Sequence, residues 1–286
     1  MRARKLLGQH FLTDRSLLAR IAEATGASSG DVVLEIGPGQ GSLTDALLDT
    51  GAMVVAIERD DRMIAALTRR FAGKNFALIA GDALEFSWAD VVAPWTARGM
   101  PWRVAGNIPY YITSPLLDRA LSPPLPLSVT FLVQKEVADR VVAPAGHDDY
   151  GALSIGIQAV AVPTREFLIP AGAFRPPPRV DSAVLHLVPR ADPLVEPARI
   201  AALRHLVTSL FSYRRKQMHR AVREALKCDA MQATAMLETA GIEPASRPEV
   251  VPVQGFIRLL DAVERTRDLE RPDEHSPPVA RRRVSG

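Results

Sequence analysis

Val32-Val33-Leu34-Glu35-Ile36-Gly37-Pro38-Gly39-Gln40-Gly41 runs from a nearly unbroken apolar stretch straight into a glycine turn. The apolar run predicts a strand buried on both faces. The glycines after it let backbone N–H groups approach a ligand where a helix begins. Outward from this segment, residues 31–134 alternate β-like runs with amphipathic stretches, the pattern of a doubly wound parallel sheet. Further strands are expected at Met53–Ile57, Phe76–Ala80, Arg103–Gly106 and Val129–Val133. Helices are expected at 42–50, 61–72, 113–121 and 135–142. Residues 151–170 read as helix then strand, and Ser182–Val188 as a last strand. Between them, Phe174-Arg175-Pro176-Pro177-Pro178-Arg179 is too rich in proline for regular structure.

The ends of four strands carry the chemistry, because open α/β sheets bind ligands there. Glu58 closes the second strand 21 positions after Gly37, where an acid can accept hydrogen bonds from ribose hydroxyls. So far a dinucleotide fits equally well, although the third glycine comes one place early for that fingerprint. Gly81-Asp82-Ala83 closes the third strand. The Asp82 carboxylate there either accepts from the N6 amine of a cofactor adenine or caps a helix that follows. Asn107-Ile108-Pro109-Tyr110 ends the fourth. Its Asn107 amide oxygen and Ile108 carbonyl can accept both N6 hydrogens of an unstacked adenine while the Tyr110 ring covers the face. Pro109 fixes its own φ and keeps Ile108 extended. The plainer reading of the tetrad is a strand-end turn, since Asn and Pro are ordinary turn residues. Taken together, the strand ends describe one nucleoside cofactor along the sheet edge and a pocket for a second adenine beside it. Methyl transfer from S-adenosylmethionine joins the two. An activated methyl requires placement and a suitable field rather than a metal or a covalent nucleophile, and the six His show no metal-ligand spacing.

With 286 residues, the chain is long enough for a large core and a smaller domain. Its 47% hydrophobic and 23% charged residues are ordinary for a soluble protein, and no run reaches the ~18 apolar residues of a membrane span. The single Cys228 excludes an internal disulfide and a cysteine-built zinc site and fits a reducing, cytoplasmic setting. No export signal is read at the N-terminus. After Pro189 the pattern turns helical, which predicts three segments: 1–190, a helical domain 191–267, and a disordered tail 268–286. Net charge is only +3, yet seven Lys/Arg face the single acid Glu224 between Arg204 and Lys227. That stretch is either a solvated helix face or a phosphate-binding surface formed by Arg214, Arg215, Lys216, Arg220 and Arg223.

These marks have a family resemblance. Lys5–Leu12, Glu35–Gly41, Asn107–Tyr110, Gln134–Ala138, Phe174–Pro178 with Val180-Asp181-Ser182, Arg214-Arg215-Lys216, and Gly241-Ile242 with Arg247-Pro248-Glu249 occur in the order seen in ribosomal RNA adenine dimethyltransferases. The resemblance covers most of residues 5–260. It implies a Rossmann-like, S-adenosylmethionine-dependent methyltransferase sheet with a smaller all-helical C-terminal domain. It also implies dimethylation of two adjacent adenosines near the 3′ end of small-subunit rRNA, by a monomer acting on a partly assembled subunit. Carried over, Gln9, His10 and Leu12 line the cofactor's methionine and ribose end. Glu35, Gly37, Gly39, Gly41, Glu58, Asp82, Ala83 and Asn107 hold the cofactor, and Asn107 and Tyr110 also position the base. Phe174 closes over the base's other face by resemblance; on the residues alone it is equally a hydrophobic plug beneath a proline loop. Two departures stand out. Ile108 replaces the commoner Leu with Tyr111 after Tyr110, and Gln217-Met218-His219-Arg220 stands where the family usually has Thr-Leu-Arg-Asn. Rival readings are a large-subunit rRNA methyltransferase conferring antibiotic resistance, a non-catalytic nucleic-acid-binding factor on the same fold, and a dinucleotide dehydrogenase.

Overall fold

The computed structural model describes residues 10–270, with side chains described to residue 266. The chain opens with β1 (Phe11–Leu12) and α1 (Arg15–Ala24), then alternates β2 (Val32–Ile36), α2 (Ser42–Asp49), β3 (Met53–Glu58), α3 (Asp61–Arg70), β4 (Phe76–Ala80), α4 (Trp88–Thr96), β5 (Trp102–Asn107), α5 (Thr113–Ala120), β6 (Val129–Gln134) and α6 (Lys135–Val142). It continues through α7 (Ala152–Gln158), β7 (Ala161–Ile169), β8 (Phe174–Arg175) and β9 (Ser182–Pro189). Helices α8 (Ile200–Phe211), α9 (Met218–Leu226), α10 (Ala230–Ala240) and α11 (Val253–Glu270) complete it.

Seven strands form one sheet in the order β4-β3-β2-β5-β6-β9-β7. Five consecutive strands, from the β4 edge to β6, are parallel, as their apolar runs predict, and β2 is buried along its whole length. β9 and β7 add antiparallel at the far edge. The chain leaves β2 toward β3 and β4, then crosses back to place β5 on the other side of β2. This reversal is the crevice where such sheets bind ligands, and it sets the turn after β2 beside the turn after β5. Their approach is close: a Cβ built on Gly106 would lie 2.7 Å from the Ile36 carbonyl oxygen.

Two helices escape the pattern reading. α1 is started by Asp14, whose carboxylate accepts from the Ser16 and Leu17 amides, and it buries Leu18, Ile21 and Ala22 at helical spacing. α4 is capped by Ser87 and buries Trp88 and Val92 despite Pro94. The proline loop also departs from expectation. It begins with β8, which pairs antiparallel with β1, Phe11 opposite Arg175 and Leu12 opposite Phe174. Strand alternation turns Leu12 and Phe174 into the core together.

The later helices share a contiguous apolar core with the sheet: Leu203 and Leu210 of α8, Val222 of α9 and Phe256 of α11 join Phe131 and Ile155. An ion pair, Arg204 to Asp118 at 2.5 Å, also ties α8 to α5. Arg214, Arg215 and Lys216 stand in the turn between α8 and α9, not on a helix. α11 runs three residues past the expected boundary at 267, and the rest of the tail, 271–286, lies outside the described residues. Among the described residues no helix is long and apolar enough to cross a membrane.

Candidate active site

The carboxyl ends of β2, β3, β4 and β5 open into one cleft of about 1190 Å³, its mouth included. Its floor is the glycine turn, where Gly37, Gly39 and Gly41 have φ of 68°, 57° and 79°. At Gly37 a Cβ would meet nothing within 4 Å, so a left-handed backbone leaves open space toward the cleft. Gly41 differs. It is absent from the cleft wall, and a Cβ there would sit 2.6 Å from the Phe71 ring, so packing of α2 on α3 requires this glycine rather than ligand contact.

Glu58 is 5% exposed and already organises the floor. One carboxylate oxygen accepts from the Gly39 amide at 3.0 Å, the other from the Arg59 and Asp60 amides at 2.9 Å each. A carboxylate has about four acceptor positions, so one remains for a ribose hydroxyl. Asp82 lines the cleft and closes a turn rather than capping a helix, since α4 starts later, at Ser87. Oδ1 accepts from the Leu84 amide at 3.0 Å and Oδ2 pairs with Arg59 at 3.1 Å. Ala83 lines the wall behind it.

Glu35 is 1% exposed, and its Oε2 accepts from Thr44 Oγ1 at 2.6 Å. Burial pushes its carboxyl up to about 8; the Thr44 bond opposes this, and the charges of Glu58 and Asp45 add to it. The folded chain therefore holds a proton that the unfolded chain, with an ordinary carboxyl near 4.5, releases. Stability from this group is full below about 4.5 and is lost as pH rises through about 8. Glu35→Gln, neutral at every pH, should flatten the fall in melting temperature between those limits. Parallel wild-type and variant curves across that range would show that Glu35 is ionised in the folded protein.

The tetrad after β5 sits beside this floor. Asn107 Nδ2 donates to the His10 carbonyl at 3.0 Å. A carbonyl only accepts, so this bond fixes which end of the amide faces the protein and leaves Oδ1 as the free acceptor. Pro109 is extended, with φ −61° and ψ 133°. Tyr110 is half-buried and bonded to Ser182 Oγ at 2.7 Å, and its ring lies 5.9 Å from the His10 ring at 27°. Its hydroxyl pKa is raised, burial outweighing the Ser182 bond, so the phenol is neutral and serves as a ring. His10 Nδ1 in turn donates to the Pro176 carbonyl at 2.8 Å. Ile108, Pro109 and Leu12 complete this wall.

Phe174 does not belong to it. The residue is fully buried among Leu12, Ile169 and Val184 and is not on the cleft wall, so it is the hydrophobic plug that holds β8 under the site. Gln9 lies outside the described residues. Phe11, Arg59 and Ser182 were not singled out as site residues, yet they line or brace the cleft. Ser182 stood within a quoted mark, and Arg59 directly follows Glu58. Arg214 and Arg220 do not line the cleft: Arg214 is held by Glu249 at 3.4 Å and by the Asp148 carbonyl at 3.3 Å, and Arg220 faces Glu224 at 3.8 Å. Arg215, Lys216 and Arg223 are exposed.

The geometry can be set against known proteins. Residues 1–264 match the sequence profile of the family described as ribosomal RNA adenine dimethylase. A protein of Phenylobacterium zucineum named ribosomal RNA small subunit methyltransferase A is 43% identical over 262 residues, 91% of this chain and 88% of that one. Among solved structures, a dimethyladenosine transferase from Plasmodium falciparum is 26% identical with a TM-score of 0.77, covering 90% of this chain and 98% of its own. The 23S rRNA methyltransferase ErmE is 28% identical with a TM-score of 0.67, covering 89% and 99%.

Proposed function

The chain belongs to the ribosomal RNA adenine dimethylase family, and from that premise we propose that it uses S-adenosylmethionine to place two methyls on N6 of each of two adjacent adenosines near the 3′ end of small-subunit rRNA. The observation that carries this reading is the Asn107 amide, whose donor end is engaged by His10 and whose acceptor end is left for an adenine amine. The cleft suits the cofactor: open space beside Gly37 admits a chain lying on the turn, and Glu58 keeps an acceptor position for its ribose. Once bound, S-adenosylmethionine supplies an activated methyl. Asn107 Oδ1 and the Ile108 carbonyl take the two N6 hydrogens, which turns the amine's lone pair outward, and Tyr110 fixes the ring plane. No side chain need act as base, since water can take the proton afterward. Glu58→Ala should weaken cofactor binding by about 1–3 kcal/mol, measured by calorimetry. Unaltered affinity would remove Glu58 from the cofactor site.

The substrate part of the proposal is a partly assembled small subunit, met in the cytoplasm by a monomer whose helical segment from residue 191 onward contacts RNA. The small-subunit relative at 43% identity favours this over a large-subunit target. The test is mass spectrometry of rRNA fragments after incubating the protein and S-adenosylmethionine with unmethylated small subunits. Four methyls on two neighbouring adenosines are expected. The same incubation with unmethylated large subunits is the control, and methyls on large-subunit rRNA alone, or none on either, would overturn it.

Arg215→Ala with Lys216→Ala should weaken subunit binding and make the log–log salt dependence shallower by up to about two units, one per phosphate contact. Cofactor affinity should not move. An unchanged salt slope with a large loss of thermal stability would make these residues packing groups.

A further inference from the structure

The short 3-10 turn Tyr110–Ile112 carries two tyrosines with opposite surroundings. Tyr110 is held inside by Ser182 and His10. Tyr111 lines the mouth of the cleft and is 58% exposed. Among the described residues it is the one Phe, Trp or Tyr left exposed. Successive residues in a 3-10 turn project about 120° apart, so a Tyr110 that faces the pocket turns Tyr111 out across its rim. A lone exposed ring is ordinary on a protein surface; one placed at the lip of a pocket that receives a base from a longer strand is not.

We propose that Tyr111 is a stacking platform for the base adjacent to the one in the pocket. This rests on the reading that two neighbouring adenosines are modified in turn. During one half of that reaction the neighbour is unmodified, and during the other it carries two N6 methyls. A station that read N6 hydrogens would accept only the first. A ring face accepts both, because base–aromatic stacking needs a π-face and no particular hydrogen-bond pattern. Tyr111 thereby sets how readily the strand is held for the second adenosine.

The test compares wild type, Tyr111→Ala and Tyr111→Phe on unmethylated small subunits, with nucleotide-resolved mass spectrometry. A second assay uses a short single-stranded RNA in which 2-aminopurine flanks an adenosine, and reads quenching of its fluorescence. Tyr111→Ala should raise KM for subunits roughly tenfold, the lower part of the range for one lost stack. Products with only one adenosine dimethylated should accumulate, and the quenching should be lost. Its cofactor affinity and melting temperature should match wild type. Tyr111→Phe should behave as wild type in every assay. Unchanged KM, product pattern and quenching in Tyr111→Ala would overturn the proposal, as would a Tyr111→Phe variant impaired to the same degree. If wild type methylated no small subunit, the functional reading would fall, and the quenching assay would still decide on the platform.

Discussion

Asn107→Ala is expected to lower the methylation rate by roughly 100-fold or more, the loss seen when one preorganised polar group at a reacting centre is removed. The amide acts at two places. Its nitrogen holds the His10 carbonyl, which leaves its oxygen for the base, so alanine should free both the target base and the segment that leads into β1. S-adenosylmethionine affinity should stay within a few-fold, because Glu58 and the glycine turn are untouched. Asn107→Asp separates the two duties. It keeps an oxygen toward the base but sets a carboxylate against a carbonyl at His10, and it should also be strongly impaired. Near-normal single-turnover rates in the alanine variant would remove the tetrad from the chemistry.

Gly106→Ala should be nearly as damaging for a purely steric reason. The added Cβ would lie 2.7 Å from the Ile36 carbonyl oxygen and 3.2 Å from Ile108 Cγ2. The first is backbone in the sheet's interior and cannot swing away. β2 and β5 must separate at the reversal of the strand order, at a cost of about 1–3 kcal/mol in stability. Displacing the tetrad by even ~1 Å from the cofactor floor can cost about 100-fold in rate. Chemical denaturation and single-turnover assays at a temperature where the variant remains folded would measure the two losses apart. A variant with wild-type stability and rate would mean that the two strand ends need not touch.

The five parallel strands were legible because strands inside such a sheet are mostly apolar, and Val32–Ile36 and Val129–Val133 each carry a single polar residue, Glu35 and Thr130. The order of site turns was legible for the same reason, since strand ends place ligands in this architecture. α1 and α4 were missed although Asp14 and Ser87 are ordinary caps; outside the strand alternation the helical spacing of Leu18 and Ile21, or of Trp88 and Val92, is a weaker signal. The side chain of Phe174 could not be placed because its direction depends on pairing with Leu12, 162 residues earlier. The acidic partner of Arg214 was hidden for a similar reason: Glu249 lies 35 residues away and only the fold brings them together. Local pattern reads elements; it does not read partners.

The pairing of β1 with β8 also dictates a schedule. His10 and Pro176, joined by a hydrogen bond, are 166 residues apart. At synthesis rates of about 5–20 residues per second, the first partner waits on the order of 8–30 s for the second to be made. Until then the N-terminal segment has no strand to pair with, Asn107 has no held carbonyl to donate to, and Tyr110 lacks both Ser182 and a fixed His10. The sheet's parallel half can form earlier, but the chamber at its edge is finished only when the late strands arrive. A chain ending before Phe174 therefore lacks the late half of its site's contacts, and such a truncated product is expected to be inactive in the methylation assay.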